Sequence, residues 1–262
     1  MMIELALTGS VVVLILMFIA WFCYLMSGNA SVIDLFWPLG FLLLFVVYAL
    51  LGGCQSLPRV IVLIIGAVWG FRLFFYLLFT RVIKGHHDPR YSELSREWKI
   101  KKSLGFLANY CFQGLLLLVI STPFLVMFSS EMHQGWLFYC GSVLAVLSII
   151  NEAVADAQLS SFKAAASDSQ EQVCNIGLWR YSRHPNYFFD WLFWVGVTLI
   201  SLPGQFGWLS IISPLLLLFI FLGLTINITE QHSLIKKREA YSLYQRTTPK
   251  FFPWRSRSDR CK

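Results

Sequence analysis

Apolar residues in this chain run on for lengths that a water-soluble core does not need. Seven segments, at about 5–27, 33–52, 59–81, 104–128, 135–156, 187–203 and 207–228, are mostly hydrophobic, and a membrane span requires about 20 such residues. In lipid, a segment of this length satisfies its own backbone polar groups by forming a helix. Composition agrees: 57% of the 262 residues are hydrophobic and 13% are charged, against about 25% charged in a typical soluble domain. The expected fold is an all-α integral membrane protein with about seven transmembrane helices, built as a single membrane domain over residues 1–262. The fifth segment turns polar at its end, and the sixth is short.

The basic residues are sorted by connection. Of 21 Lys and Arg, seven lie at 81–103, three at 157–186 and nine from 229 onward, which places 19 on one side. The other side holds Arg59, and Arg72 falls inside the third segment. By the positive-inside rule the N-terminus lies outside and the C-terminus in the cytoplasm. The net charge of +7 is therefore a topology signal that points to a lipid bilayer and not to nucleic acid. The start Met1-Met2-Ile3-Glu4 lacks the basic region of a signal peptide, so the first segment is read as retained. The expected location is the bacterial inner membrane, or the endoplasmic reticulum in a eukaryote. The six cysteines show no CxxC and no metal-like spacing, so no disulfide framework is implied. His86-His87-Asp88 reads as a solvated loop, because adjacent histidines point apart on a regular element. The stretch 230–244 mixes Leu234, Ile235 and Leu243 with charges. It is expected to form an interfacial amphipathic helix that stops at Thr247-Thr248-Pro249.

Charges within or at the ends of spans are costly and mark candidate sites. Here they are Asp34, Arg72, Glu152, Asp156, Asp190 and Glu230. Five lie near the cytoplasmic ends of their segments, and Arg72 is about 13 Å from that end at the helical rise. Between two apolar segments runs Gly177-Leu178-Trp179-Arg180-Tyr181-Ser182-Arg183-His184-Pro185-Asn186-Tyr187, with Asp190 shortly after. Fixed cations, ring donors and a proline-stiffened backbone suit a bound anion such as phosphate or carboxylate; the competing account is a loop that anchors a helix at the lipid surface. Glu152, Asp156 and Lys163 share one helical face if the fifth helix continues past the membrane. Asn186 and Asp190 repeat the i, i+4 spacing. Ribose hydroxyls or an amide would satisfy both pairs, as would internal hydrogen bonding. No GxGxxG, Walker motif or GxSxG is present, which removes a doubly wound nucleotide fold and a serine hydrolase.

Three stretches together resemble a known family: Glu152-Ala-Val-Ala-Asp156-Ala-Gln158, Gly177 to Tyr187, and Tyr241 to Trp254. With Trp69-Gly-Phe-Arg72-Leu and Asp88-Pro-Arg-Tyr91, the chain resembles the DUF1295 branch of the steroid 5-alpha-reductase C-terminal-domain superfamily over about residues 30–254. The middle stretch is also similar to isoprenylcysteine carboxyl methyltransferases, which use S-adenosylmethionine. The resemblance implies a seven-helix membrane enzyme that binds NADPH among its cytoplasmic helix ends, in a motif-bearing region of about 145–254. It implies cofactor contacts at Glu152, Asp156, Lys163, Arg180, Tyr181, Arg183, His184, Asn186, Tyr187, Asp190 and Glu230. In those reductases an acid on the second span and a tyrosine on the third polarise an enone carbonyl. Asp34 matches the acid, whereas the tyrosine position holds Trp69, whose indole cannot pass a proton as a phenol does. The sequence reading is thus an oxidoreductase that reduces a lipid-soluble substrate (steroid-like, isoprenoid or acyl) with NADPH. The alternatives are an S-adenosylmethionine-dependent membrane methyltransferase and a non-catalytic scaffold or transporter.

Overall fold

A computed structural model describes residues 1–262 except 84, 86, 87, 97, 166–171 and 256–262, and of residues 89, 90 and 92 the backbone alone. His86, His87 and Cys261 lie outside the described residues. Among the described residues all regular structure is helical. In chain order the α-helices are α1 (Met2–Ser27), α2 (Ile33–Gly52), α3 (Leu57–Leu77), α4 (Pro89–Arg96), α5 (Lys102–Ile120), α6 (Thr122–Ser129), α7 (Trp136–Ala165), α8 (Pro185–Ser201), α9 (Ile212–Ile220) and α10 (Ile226–Thr247). Six helical runs among the described residues are long and apolar enough to cross a membrane: Met2–Ser27, Ala30–Gly52, Leu57–Val82, Lys102–Ile120, Trp136–Ala165 and Gly207–Thr247. The protein is read as an integral membrane protein on that basis. Helix α8, in the place of the short sixth segment, has 17 residues and spans about 25 Å, the lower end of what a bilayer core needs.

The expected segments differ from the helices in three places, each with a local cause. The fourth segment is divided, because Pro123 supplies no backbone N–H to continue α5 and instead opens α6. The fifth continues well past the apolar stretch, so Glu152, Asp156 and Lys163 all lie on α7. The stretch 230–244 is helical as expected but belongs to α10, which follows α9 through a π turn at Phe221–Thr225 and bends at Lys237 (φ −132°, ψ 24°). Helix α10 ends at Thr247, before Thr248-Pro249.

Two compact units are distinguishable, Met1–Ser142 with Val197–Ser213 and Val143–Gly196 with Pro214–Lys262. In the first, α1 packs on α2 and α5, and α2 packs on α3. Its core is aromatic: Phe45 stacks on Phe124 with ring centroids 3.8 Å apart, and Trp69 meets Phe41 edge-on at 5.4 Å. Gly66 permits this approach, since a Cβ there would lie 2.9 Å from the rings of both Phe124 and Phe45. Small residues at contacts are how apolar helices gain packing in a solvent as apolar as themselves. Arg59 donates to the carbonyls of Gly52, Gly53 and Ser130 at 2.8–3.0 Å. The lone basic residue on its side of the charge count is therefore a cap for the end of α2, where helical carbonyls lack partners.

In the second unit a loop and the chain end are sewn together through the backbone. Arg183 N donates to Pro249 O and Trp254 N to Tyr181 O, both at 2.9 Å. Ser182 Oγ donates to Phe251 O at 2.7 Å and accepts from His184 N at 3.1 Å. Rings of Phe188, Trp191, Phe251 and Phe252 pack around this junction.

Candidate functional site

The candidate residues fall into two clusters, one in each unit. In the first unit, Asp34 begins α2 one turn after Asn29 caps the short helix Ala30–Val32. Its Oδ2 receives the Arg81 guanidinium, and its Oδ1 accepts from the Tyr91 hydroxyl at 2.7 Å. Arg81 also reaches Asp88 Oδ2 at 3.2 Å, and Asp88 N donates to Ser31 Oγ at 2.7 Å. Arg81 sits in a π turn, Leu78–Val82, that closes α3; such turns re-aim a side chain from a helix. Both carboxylate oxygens of Asp34 act as acceptors, one of them from the Tyr91 hydroxyl. Trp69, at the tyrosine position of the resemblance, is a 1% exposed core residue.

In the second unit, Glu152 and Asp156 stand one turn apart on α7 and are 3% and 4% exposed. Asn186 Nδ2 donates to Asp156 Oδ1 at 3.3 Å. Lys163 and Arg180 are exposed, whereas Asn186, Tyr187 and Asp190 are half-buried. The loop before α8 is fixed to α7 by two bonds: Trp179 Nε1 donates to Ala155 O and Leu178 N to Gln158 Oε1, both at 2.9 Å. Gly177 makes the second possible. It adopts φ +54°, and a Cβ there would fall 2.1 Å from the Gln158 amide, so both backbone and space favour glycine. From the other side, the Tyr244 hydroxyl donates to Trp179 O.

Within this frame Glu230 is shared. Its Oε1 lies 3.0 Å from Arg183 Nε and 3.1 Å from His184 Nε2, and its Oε2 accepts from Gln245 Nε2 at 2.8 Å. Arg183, His184 and Glu230 are all buried. Burial pushes the His184 imidazole below its ordinary value, against the pull of the Glu230 carboxylate. A neutral ring that donates Nε2–H to the carboxylate is the consistent state. The His184 ring then stacks on Tyr187 at 5.6 Å, and Tyr187 on Phe221 at 5.1 Å. Phe221 opens the π turn that precedes α10.

Of the residues expected at a cofactor, the structure thus joins Asp156 with Asn186, and Arg183 and His184 with Glu230. Sequence reasoning did not single out Arg81, Trp179, Ser182 or Gln245. Arg81 was counted as a loop charge, and the others are polar residues whose partners are 15 to 69 positions away. A family model described as a protein of unknown function (DUF1295) matches residues 20–248. The protein belongs to the DUF1295 family. The matched DUF1295 region contains Asp34, Arg81 and Tyr91 of the first cluster and every expected cofactor residue of the second. No curated protein and no solved structure matches the chain.

Proposed function

We propose that the protein is a membrane reductase that uses NADPH to reduce a lipid-soluble substrate. The observation that carries this reading is the buried carboxylate pair Glu152 and Asp156, with Asn186 on Asp156, in a chain that is otherwise apolar and sends exposed Lys163 and Arg180 from the same α7 and loop. Acceptors of this kind fit ribose hydroxyls or a carboxamide, and exposed cations fit phosphates. The set of acceptors and cations therefore suits NADPH: Glu152, Asp156 and Asn186 would hold its hydroxyl and amide groups, and Lys163 and Arg180 its phosphates. When bound, NADPH supplies the hydride. Arg183 and His184, held by Glu230, keep the loop in place.

The test is ligand-dependent stability. A ligand that binds only the folded state adds about 2.7 kcal/mol at a hundredfold excess over Kd. NADPH should therefore raise the thermal midpoint of the purified protein more than S-adenosylmethionine does, and Arg180→Ala should reduce that gain. S-adenosylmethionine has a single carboxylate and a sulfonium cation, so it has less use for the two cations. Stabilisation by S-adenosylmethionine with none by NADPH would establish the methyltransferase reading instead. No effect from either ligand would favour a scaffold or transporter. Carriers usually bind at the bilayer midplane, whereas the acids here cluster towards the ends of the apolar segments.

The proposal includes an orientation, with the N-terminus outside and the C-terminus in the cytoplasm, so that the dinucleotide arrives from the cytoplasm and the substrate from the bilayer. It rests on the sorting of 19 of 21 Lys and Arg. A C-terminal reporter that is active only outside the cytoplasm should give no signal. Activity from that fusion would reverse the orientation or change the number of spans, with the 17-residue α8 the first to re-examine.

A further inference from the structure

The loop 177–187 has two faces. Ser182, Arg183 and His184 are buried, whereas Arg180 and Tyr181 are exposed. Tyr181, Pro253, Trp254 and Arg255 line an open depression of about 480 Å³, within the usual range for a small-ligand site, roughly 300–1,000 Å³. The backbone bond from Trp254 N to Tyr181 O at 2.9 Å ties its two sides together. Trp254 is 68% exposed, its neighbour Phe252 54% and Tyr181 42%. These are large amphipathic or apolar rings left uncovered where the chain is about to enter α8 at Pro185.

From these features we infer that the depression is a binding site for the headgroup of an anionic phospholipid. The polar groups its side chains offer can all donate: the phenol of Tyr181, the indole N–H of Trp254 and the guanidinium of Arg255. Among the described residues its lining includes no carboxylate. A set rich in donors, with a fixed cation among them, favours a phosphodiester over a cation. The surrounding sequence has the same sign, since nine of the 21 Lys and Arg lie from residue 229 onward. Tyr and Trp gather where one end of a ring meets headgroups and the other meets acyl chains. The depression lies just before the start of an apolar helix, which is where headgroups lie. Tyr181, by this account, belongs to the lipid surface and not to the dinucleotide. The inference is independent of which cofactor the protein uses.

The experiment is native mass spectrometry of the full-length protein released from detergent. Dioleoylphosphatidylglycerol and dioleoylphosphatidylcholine, which share acyl chains, are titrated separately, and inorganic phosphate is a third arm. The phosphatidylglycerol adduct should be retained preferentially, and Arg255→Gln should lower its apparent affinity about five-fold, the worth of one basic side chain near an anionic surface. Trp254→Ala should lower it further, and both variants should keep the parent thermal midpoint. Arg255 is exposed, so Arg255→Gln retains the readout if Trp254→Ala lowers the yield. Equal retention of the two lipids overturns the inference. A phosphatidylglycerol preference that neither variant changes moves the site elsewhere and also overturns it. Phosphate binding that competes fully with the lipid would assign the depression to a free anion instead.

Discussion

Glu230→Ala should destabilise the purified protein by about 3–5 kcal/mol, the cost of breaking a buried ion pair by removing one partner. The carboxylate is ion-paired with Arg183 and hydrogen-bonded to His184 and Gln245, with Arg183 and Glu230 both buried. Without it the Arg183 guanidinium keeps its charge, because arginine does not deprotonate in proteins. It would then be buried beside a neutral imidazole. Glu230→Gln keeps the shape and one acceptor oxygen, so its loss should be smaller. The two variants, compared by chemical denaturation in one detergent, separate the charge from the packing. An Arg183→Ala, Glu230→Ala double variant should recover part of the loss, because the orphaned cation is gone. A stable Glu230→Ala protein would mean that Arg183 has another buried partner, and this cluster would cease to be the clamp of the loop. The prediction also changes what Arg183 is for. The sequence reads it as a phosphate cation, but a guanidinium engaged by Glu230 is first a structural residue. The exposed Arg180 is the better place to look for an effect on cofactor affinity.

Trp179→Ala should cost about 3–5 kcal/mol, the range for truncating a buried large aromatic. Trp179 is buried between α7 and α10: its indole donates to Ala155 O, and its own carbonyl accepts from the Tyr244 hydroxyl. Its removal leaves a cavity on the α7 side of the loop. The effect should therefore appear in both stability and ligand response, since Asp156 and Asn186 face each other across the same α7–loop junction. Trp179→Phe keeps most of the ring and loses the indole bond, a net change of about 1 kcal/mol. If Trp179→Ala melted with the parent protein, the loop would not depend on this anchor, and the geometry proposed for the dinucleotide would lose its support.

Much of the fold was legible because lipid imposes a simple rule on sequence. A run of apolar residues long enough to cross the bilayer has to form a helix, and α1, α2 and α3 follow the segments read for them closely. Where the reading shifted, the cause was local and visible: Pro123 divided the fourth segment, and the polar end of the fifth proved to be the continuation of α7. The stop at Thr247 before Pro249 was equally direct. The candidate residues are a different matter. Glu152 and Asp156 share a helical face by spacing, and Asn186 was paired in sequence with Asp190, whereas its hydrogen bond goes to Asp156, 30 positions earlier. Asp34 was read by itself as a candidate acid, whereas Arg81 and Tyr91 bond to its carboxylate oxygens. Arg81 lies in the π turn Leu78–Val82 that follows α3.

Sequence by itself determined that the chain is helical, that it belongs in a membrane, and where its polar residues concentrate. Those properties depend on composition and on spacing within single segments, which the chain carries before it folds. The tertiary structure decided which polar groups are spent on one another. Glu230 could not be assigned to Arg183, His184 and Gln245 from spacing, because the pairing requires α10 to return against the loop before α8. Nor could Tyr181 be separated from Arg183, two residues on, until the fold buried one and exposed the other. In an apolar environment each buried polar group must find a partner, and the identity of that partner is set by long-range packing.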